Sequence, residues 1–125
     1  MLLATKAKTS ATIATVQVDV VDDVLSVNPE LVVAVGEPCT LLFQLTNPDY
    51  SFPTIGAIVI EGGHKSQFPD PPVWVDASTV TLLDRNCNRQ PRNFKYTVTV
   101  LDSLGHRHSL DPMISNEGGP GLGSD

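Results

Sequence analysis

Two histidines near the end of the chain have a spacing that suggests metal chemistry. His106-Arg107-His108 places two imidazoles two residues apart on one face of a strand, as in several metal sites built on β-sheets. The carboxylates nearest in sequence, Asp102 and Asp111, do not complete a familiar ligand pattern around this pair. We therefore predict that His106 and His108 are solvent-facing strand residues, with metal binding as the alternative.

A second group with chemical potential is a set of basic side chains in two loop segments, 61–72 and 84–93. In an immunoglobulin-like strand order these loops lie at one end of the domain. The residues collected there are His64, Lys65, Arg85, Arg89 and Arg92. Such a cluster on an acidic protein can hold an anion or an acidic partner. Solvated loop charges are the simpler interpretation, and an anion or partner site is the functional alternative.

The two cysteines fall at the same end in this arrangement. We predict free thiols, with Cys39 buried as a small hydrophobic residue and Cys87 exposed in a loop. A disulfide between them is the alternative.

Residues 84–88 resemble the beginning of a calcium-binding loop. Arg89 and Lys95 occupy the positions that need glycine and glutamate, so a turn is predicted there instead.

Short strands must position these side chains. Residues 15–20, 39–45 and 94–100 alternate apolar and polar side chains, as half-buried strands do. The chain is 41% hydrophobic but only 6% aromatic, and its 10 prolines and 9 glycines supply turns. We predict an all-β fold, an immunoglobulin-like antiparallel two-sheet sandwich of about seven or eight strands, with a closed barrel as the competing shape.

One domain accounts for the chain, because 125 residues suit a single core. We place the β-sandwich domain at residues 13–117, after a flexible N-terminal segment over residues 1–12. Residues 118–125 contain four glycines and one proline, which cannot bury enough apolar surface to offset their ordering entropy. A disordered glycine-rich tail is predicted there.

The charge balance excludes some partners. With 8 basic and 14 acidic residues the net charge is −6, which repels a phosphate backbone, so no nucleic acid is expected. No apolar run approaches the roughly 20 residues that cross a bilayer, so no membrane is expected either. Lys6 and Lys8 follow the first apolar residues, unlike the order in a secretory signal. A cytoplasmic location is therefore predicted.

Two short motifs carry a family resemblance, over roughly residues 30–118. They are Glu37-Pro38 and the closing stretch from Leu110 to Asn116, Leu-Asp-Pro-Met-Ile-Ser-Asn. The chain thereby resembles small bacterial β-sandwich families, one of them named for its Asp-Pro and Glu-Pro dipeptides (DP-EP type). The closing stretch is also similar to the Asp-Pro-x-Ile-x-Asn ending of AidA/PixA-type inclusion-body proteins. The resemblance implies a bacterial β-sandwich and no particular activity.

The closing motif also has a predicted structural role. Asp111-Pro112 ends a strand because proline lacks an amide hydrogen. Ile114 is expected to return to the core and Asn116 to cap the turn.

The sequence predicts a soluble, non-enzymatic interaction or structural module that uses no cofactor. It contains no catalytic-serine elbow, phosphate loop or Cys-x-x-Cys motif. Its expected partner is another protein or a copy of itself, bound through a strand edge or a loop end. The alternative is a small-ligand or anion-binding protein, or a metal-dependent enzyme, that uses the Arg/His loop end or the His-x-His strand.

Overall fold

The computed structural model describes residues 11–117, so the predictions for residues 1–10 and 118–125 lie outside the described range. This part of the chain is all-β, and it contains strands and turns but no helix. The strands are β1 (Thr12–Val21), β2 (Val24–Asn28), β3 (Leu31–Ala34), β4 (Cys39–Leu45), β5 (Ile58–Ile60), β6 (Val73–Asp76), β7 (Thr79–Asp84), β8 (Arg92–Leu101), β9 (Arg107–Leu110) and β10 (Met113–Asn116).

The strands form two mixed sheets. Sheet A has the order β2-β1-β4-β7-β6, and sheet B has the order β3-β10-β8-β5, with β9 also paired to β8. In sheet A, β1 runs parallel to β4, with Thr12 opposite Cys39 and Val18 opposite Leu45. In sheet B, β3 runs parallel to β10. The remaining neighbouring strands are antiparallel.

The predicted all-β class is confirmed, but the purely antiparallel pairing is wrong. The chain leaves sheet A after β2, forms β3 in sheet B, and returns so that β4 lies beside β1 in the same direction. Alternation of apolar and polar residues shows which face a strand buries, but not which strand lies next to it. The structure has ten strands over residues 11–117, where seven or eight were predicted.

The two sheets share one apolar core. The alternation predicted for three strands is confirmed, since one face of each is buried: Val16, Val18 and Val20 in β1, Cys39, Leu41, Phe43 and Leu45 in β4, and Phe94, Tyr96, Val98 and Val100 in β8. The ring of Phe43 in sheet A meets that of Tyr96 in sheet B edge-on, with centroids 5.5 Å apart. Such pairs stabilise a core beyond the area they bury.

The Asp-Pro dipeptide interrupts one long line of pairing along β8. Leu110 at the end of β9 faces Val98, and Met113 at the start of β10 faces Lys95, in one continuous register. Asp111-Pro112 lies between them, where proline has no amide hydrogen to donate. β9 and β10 are thus two halves of one strand, of which only the first half was predicted.

Ile114 in β10 is fully buried in the core, as predicted. Asn116, which was expected to cap the turn, is the last residue of β10 and is also fully buried. Its side chain bonds to polar groups beneath the core, which are described below.

The beginning of β1 and the end of β10 meet at one short connection. The amide of Thr12 donates to the carbonyl of Pro38 at 3.1 Å, and its hydroxyl donates to the carbonyl of Val35. The amide of Glu117 donates to the carbonyl of Ala34 at 3.4 Å. The carbonyls of Val35 and Pro38 belong to the link between β3 and β4, and that of Ala34 ends β3. Both ends of the described chain therefore lie at the same end of the domain.

Candidate functional site

The end at which β1 and β4 begin also carries the predicted basic loops, and we call it the basic end. There the loop 61–72 packs against the segment that follows β7. The backbone amide of Arg85 donates to the carbonyl of Gln67 at 2.7 Å, and Arg85 Nη1 donates to the carbonyl of Ser66 at 3.3 Å. The structure therefore brings the two loops together.

Two of the predicted basic residues contact the ring of Phe94. The ring centroid of His64 lies 4.9 Å from that of Phe94, and the guanidinium carbon of Arg92 lies 5.0 Å from the same centroid. A cation over an aromatic face at an exposed site contributes about 0.5–1 kcal/mol. Lys65 and Arg89 are exposed in the same two loops. A role for this cluster in holding an anion or a partner stays a prediction.

A network of buried polar side chains lies beneath the basic end. Its members are Gln67, Asp84, Asn86, Asn88 and Asn116, each at most 1% exposed. The amide of Asn86 donates to Asp84 Oδ1 at 2.9 Å, which closes the predicted turn. Asn86 Nδ2 donates to the carbonyls of Ala34 at 3.1 Å and Gly36 at 2.8 Å. The turn after β7 is thereby bonded to the link between β3 and β4.

Asn116 connects the closing strand to the same network. Its Nδ2 donates to Asp84 Oδ1 at 2.8 Å and to Asn88 Oδ1 at 3.2 Å. The side chain of Gln67 accepts the amide of Cys87 at 2.9 Å. The end of β7, the end of β10 and the loop 61–72 are therefore held together by hydrogen bonds inside the domain.

Two oxygens in this network have no hydrogen-bond partner among residues 11–117. They are Asp84 Oδ2 and Asn116 Oδ1, and both are buried. Burial raises the pKa of Asp84 from 3.8 to about 6, although hydrogen bonds from Asn116 and the amide of Asn86 oppose this rise. A protonated carboxyl is a donor, so it avoids both the cost of a buried charge and that of an oxygen without a partner.

Both cysteines are free and buried. Cys39 lies in the core, as predicted. The prediction that Cys87 is exposed is wrong, since it is only 6% exposed. The loop 61–72 covers it, and Cys87 Sγ lies 3.7 Å from the carbonyl of Ser66.

The opposite end of the domain carries carboxylates and the two predicted histidines, and we call it the acidic end. Its carboxylates are Asp22, Asp23, Asp49, Asp76 and Asp102. Asp102 Oδ2 lies 3.0 Å from His108 Nε2 and 3.5 Å from His106 Nδ1. The hydrogen bond with His108, followed by that from the amide of His106, lowers the pKa of Asp102 to about 2. The two imidazoles thus share one carboxylate.

The side chain of His106 is 71% exposed, as expected of a solvent-facing residue. That of His108 is 24% exposed, so this residue is half-buried. Its ring packs edge-on against Tyr50, with centroids 5.6 Å apart. Tyr50 in turn donates to Asp23 Oδ1 at 2.5 Å, and this bond, together with burial, raises the pKa of Tyr50 to about 12.

The arrangement around Asp102 builds a turn. Asp102 Oδ1 accepts the amides of Leu104 and His106, each at 2.9 Å, which closes the connection between β8 and β9. In the range 11–117 no group of three or more His, Cys, Asp or Glu side chains could hold a metal ion. The histidines and Asp102 therefore have a structural explanation in the geometry of this turn.

An apolar edge strand and a groove near it form a further candidate site. β6 ends sheet A and β5 ends sheet B on the same side of the domain. In β6, Val73, Trp74 and Val75 are 57%, 39% and 53% exposed. A groove between β5 and the loop 61–72 has a volume of about 480 Å³.

Buried core residues form the floor of this groove, and prolines form one wall. The floor consists of Ile58, Phe68 and Leu82, while Pro71 and Pro72 stand beside β6. The indole nitrogen of Trp74 donates to the carbonyl of Phe52 at 3.1 Å, which fixes the ring. Exposed apolar surface around an anchored tryptophan is typical of protein-binding sites.

No protein-family model matches this chain, and a search of curated proteins finds no match. The resemblance to bacterial β-sandwich families therefore stays a prediction, and a function must be argued from the geometry. Over residues 11–117 no helix is long and apolar enough to span a bilayer.

Proposed function

We propose that this protein is a non-enzymatic interaction module of the bacterial cytoplasm, with an immunoglobulin-like two-sheet sandwich, and that it binds an extended segment of a protein partner along β6. The exposed apolar edge of β6 carries the proposal. A strand with a neighbour on one side only leaves amides and carbonyls that can pair with an added strand. Main-chain hydrogen bonds would supply affinity, and the exposed side chains of Val73, Trp74 and Val75 would select apolar side chains of the partner.

The burial pattern supports β6 over the other edges. β2 and β3 alternate exposed and buried residues, so their inner faces are covered by the opposite sheet. All four residues of β6 are exposed, so its inner face is not covered in this way. An added strand at β6 would cover this face.

The composition of β6 supports the same choice. Edge strands that avoid pairing usually carry lysines, prolines or inward charges. β6 reads Val-Trp-Val-Asp, and its single charge stands at its last position. Prolines precede the strand at positions 71 and 72, and the pairing of β6 with β7 shifts register between Trp74 and Asp76.

Panning a library of random peptides against the full-length protein tests this function. We expect enriched peptides that alternate apolar and polar residues and bind the wild type. Val75→Lys should abolish their binding, since it places a charge on the proposed edge. Val33→Lys is the matched control, because Val33 is 42% exposed on the edge strand β3. Peptides that bind Val75→Lys as well as the wild type would refute the proposal.

The rival ligand-binding function has its own measurement on the same preparations. A ligand that binds only the folded state raises the melting temperature with its concentration. A rise caused by phosphate and lost in Arg85→Ala would favour an anion site at the basic end. A rise caused by zinc and lost in His108→Ala would favour a metal site.

A further inference from the structure

A pocket at the basic end is lined by two side chains of opposite charge. It has a volume of about 330 Å³ and is bounded by the link between β3 and β4, the loop 61–72 and the end of β7. Its lining residues are Glu37, Pro38, Pro69, Leu83, Arg85 and Cys87. Other charged residues at this end, Lys65 and Asp70 among them, do not line it. The charges of Glu37 and Arg85 therefore balance each other within the pocket.

These two charged groups share the pocket without pairing with each other. The ion pairs found over residues 11–117 include neither Glu37 nor Arg85. Arg85 Nη1 donates to the carbonyl of Ser66 at 3.3 Å, which uses one of the five N–H donors of a guanidinium group. Glu37 Oε2 is buried and accepts no hydrogen bond in this range. A carboxylate in such a position is stabilised by a cation that approaches it from the pocket.

Hydrogen bonds fix the positions of the two charged residues relative to each other. Asn86, the residue after Arg85, donates from Nδ2 to the carbonyl of Gly36, the residue before Glu37, at 2.8 Å. The amide of Arg85 also donates to the carbonyl of Gln67 at 2.7 Å, which joins the same segment to the loop 61–72. Because the walls of the pocket are bonded to one another, binding requires little further ordering of the backbone.

We propose that this pocket binds a free α-amino acid with an apolar side chain. The carboxylate of the ligand pairs with the planar guanidinium of Arg85, and its ammonium group pairs with Glu37. Its side chain packs on Pro38, Pro69 and Leu83. Ligand pockets measure about 300–1,000 Å³, and this one lies at the small end of that range. The site lies apart from β6, so this inference does not rest on the proposed function.

The balance of charge in the pocket favours a zwitterion over an ion of one sign. A simple anion beside Arg85 is repelled by Glu37, and a simple amine beside Glu37 is repelled by Arg85. An α-amino acid carries both charges on one carbon atom, so each of its charged groups finds a partner of opposite sign.

Isothermal titration calorimetry of the full-length protein with leucine, valine, methionine and phenylalanine tests the proposal. We expect one amino acid to bind per chain. Arg85→Ala and Glu37→Gln should each raise its dissociation constant at least about tenfold, because each removes one charge pair. Lys65→Ala and Asp70→Asn are the matched controls, since they remove exposed charges of the same end that do not line the pocket. Far-ultraviolet circular dichroism and thermal melting confirm that each variant is folded.

Leucine derivatives that lack one charge separate the two contacts. N-acetyl-leucine keeps only the carboxylate and leucinamide keeps only the ammonium group, so each should bind the wild type at least about tenfold more weakly than leucine does. N-acetyl-leucine should bind Glu37→Gln more tightly than it binds the wild type, because the repelling carboxylate is removed.

Three results would overturn the proposal. The first is that none of the four amino acids binds. The second is that they bind Arg85→Ala and Glu37→Gln as tightly as the wild type, which would place them elsewhere on the protein. The third is that N-acetyl-leucine binds as tightly as leucine and depends on Arg85 alone, which would make the pocket a site for simple anions. Val75→Lys, which tests the β6 edge, should leave amino-acid binding unchanged.

Discussion

Replacing Asp84 with asparagine is expected to stabilise this protein at neutral pH. The carboxyl is fully buried, and its Oδ1 already accepts from Asn116 Nδ2 and from the amide of Asn86. An amide has the same shape, keeps this accepting oxygen, and can donate from the position of Oδ2. Asn116 Oδ1, which is also buried without a partner among residues 11–117, belongs to the same network. The substitution therefore retains the network and removes a buried charge.

The size of the effect follows from the pKa of Asp84, which burial raises from 3.8 to about 6. The folded state thus holds its proton over a pH range in which the unfolded state has lost it. The stabilisation by the neutral acid is present below about pH 4 and is lost as the pH rises through about 6. A pKa difference of about 2 corresponds to about 3 kcal/mol, which is the expected gain of Asp84→Asn above pH 7.

Urea unfolding of both proteins, followed by Trp74 fluorescence between pH 4 and pH 8, measures this gain. The difference in unfolding free energy should be within about 0.5 kcal/mol at pH 4 and should grow to about 3 kcal/mol at pH 8. Asp111→Asn, which changes an exposed carboxyl bonded to Thr97, is the surface control for the same chemical substitution. The reasoning is refuted if Asp84→Asn is less stable than the wild type at pH 8, or if its advantage does not depend on pH.

Three further predictions test other parts of the structure. Ile114→Ala should destabilise the domain by about 2–5 kcal/mol in urea unfolding, because it leaves a cavity in the core, and Ser115→Ala should cost less than about 0.5 kcal/mol. Cys39 and Cys87 should react with a thiol reagent only when the domain opens, so rapid labelling of Cys87 in the native protein would contradict its burial. The Asp102 carboxyl should titrate near pH 2 by NMR and shift toward its ordinary value in His108→Ala, because the His108 hydrogen bond is the largest cause of the lowered pKa. An unchanged midpoint would show that another group holds it.

The core could be predicted because burial in a strand follows a period of two residues. The buried faces of β1, β4 and β8 are those that the alternation of valine, leucine and aromatic residues indicated. Loop placement at the basic end also followed from the strand order, since the segments that contain His64 and Arg85 connect strands that end there.

The sheet pairing and the buried polar network depend on contacts between distant parts of the chain. Asp84 and Asn116 are 32 residues apart, and the sequence shows only a polar residue at the end of an apolar strand in each case. The run Val73-Trp74-Val75 has the composition of a buried strand. It is nevertheless exposed, at the edge of sheet A. The local sequence pattern predicts neither the contact between Asp84 and Asn116 nor the exposure of this strand.

The meeting of Thr12 and Glu117 at the link between β3 and β4 gives the domain a single point of attachment. A polypeptide joined before β1 and another joined after β10 would both leave from the basic end, on the far side of the domain from Asp76. Domains whose ends lie together tolerate circular permutation and insertion into loops of other proteins. This domain could therefore be transplanted into a host loop as a compact insert, with β6 still free to pair.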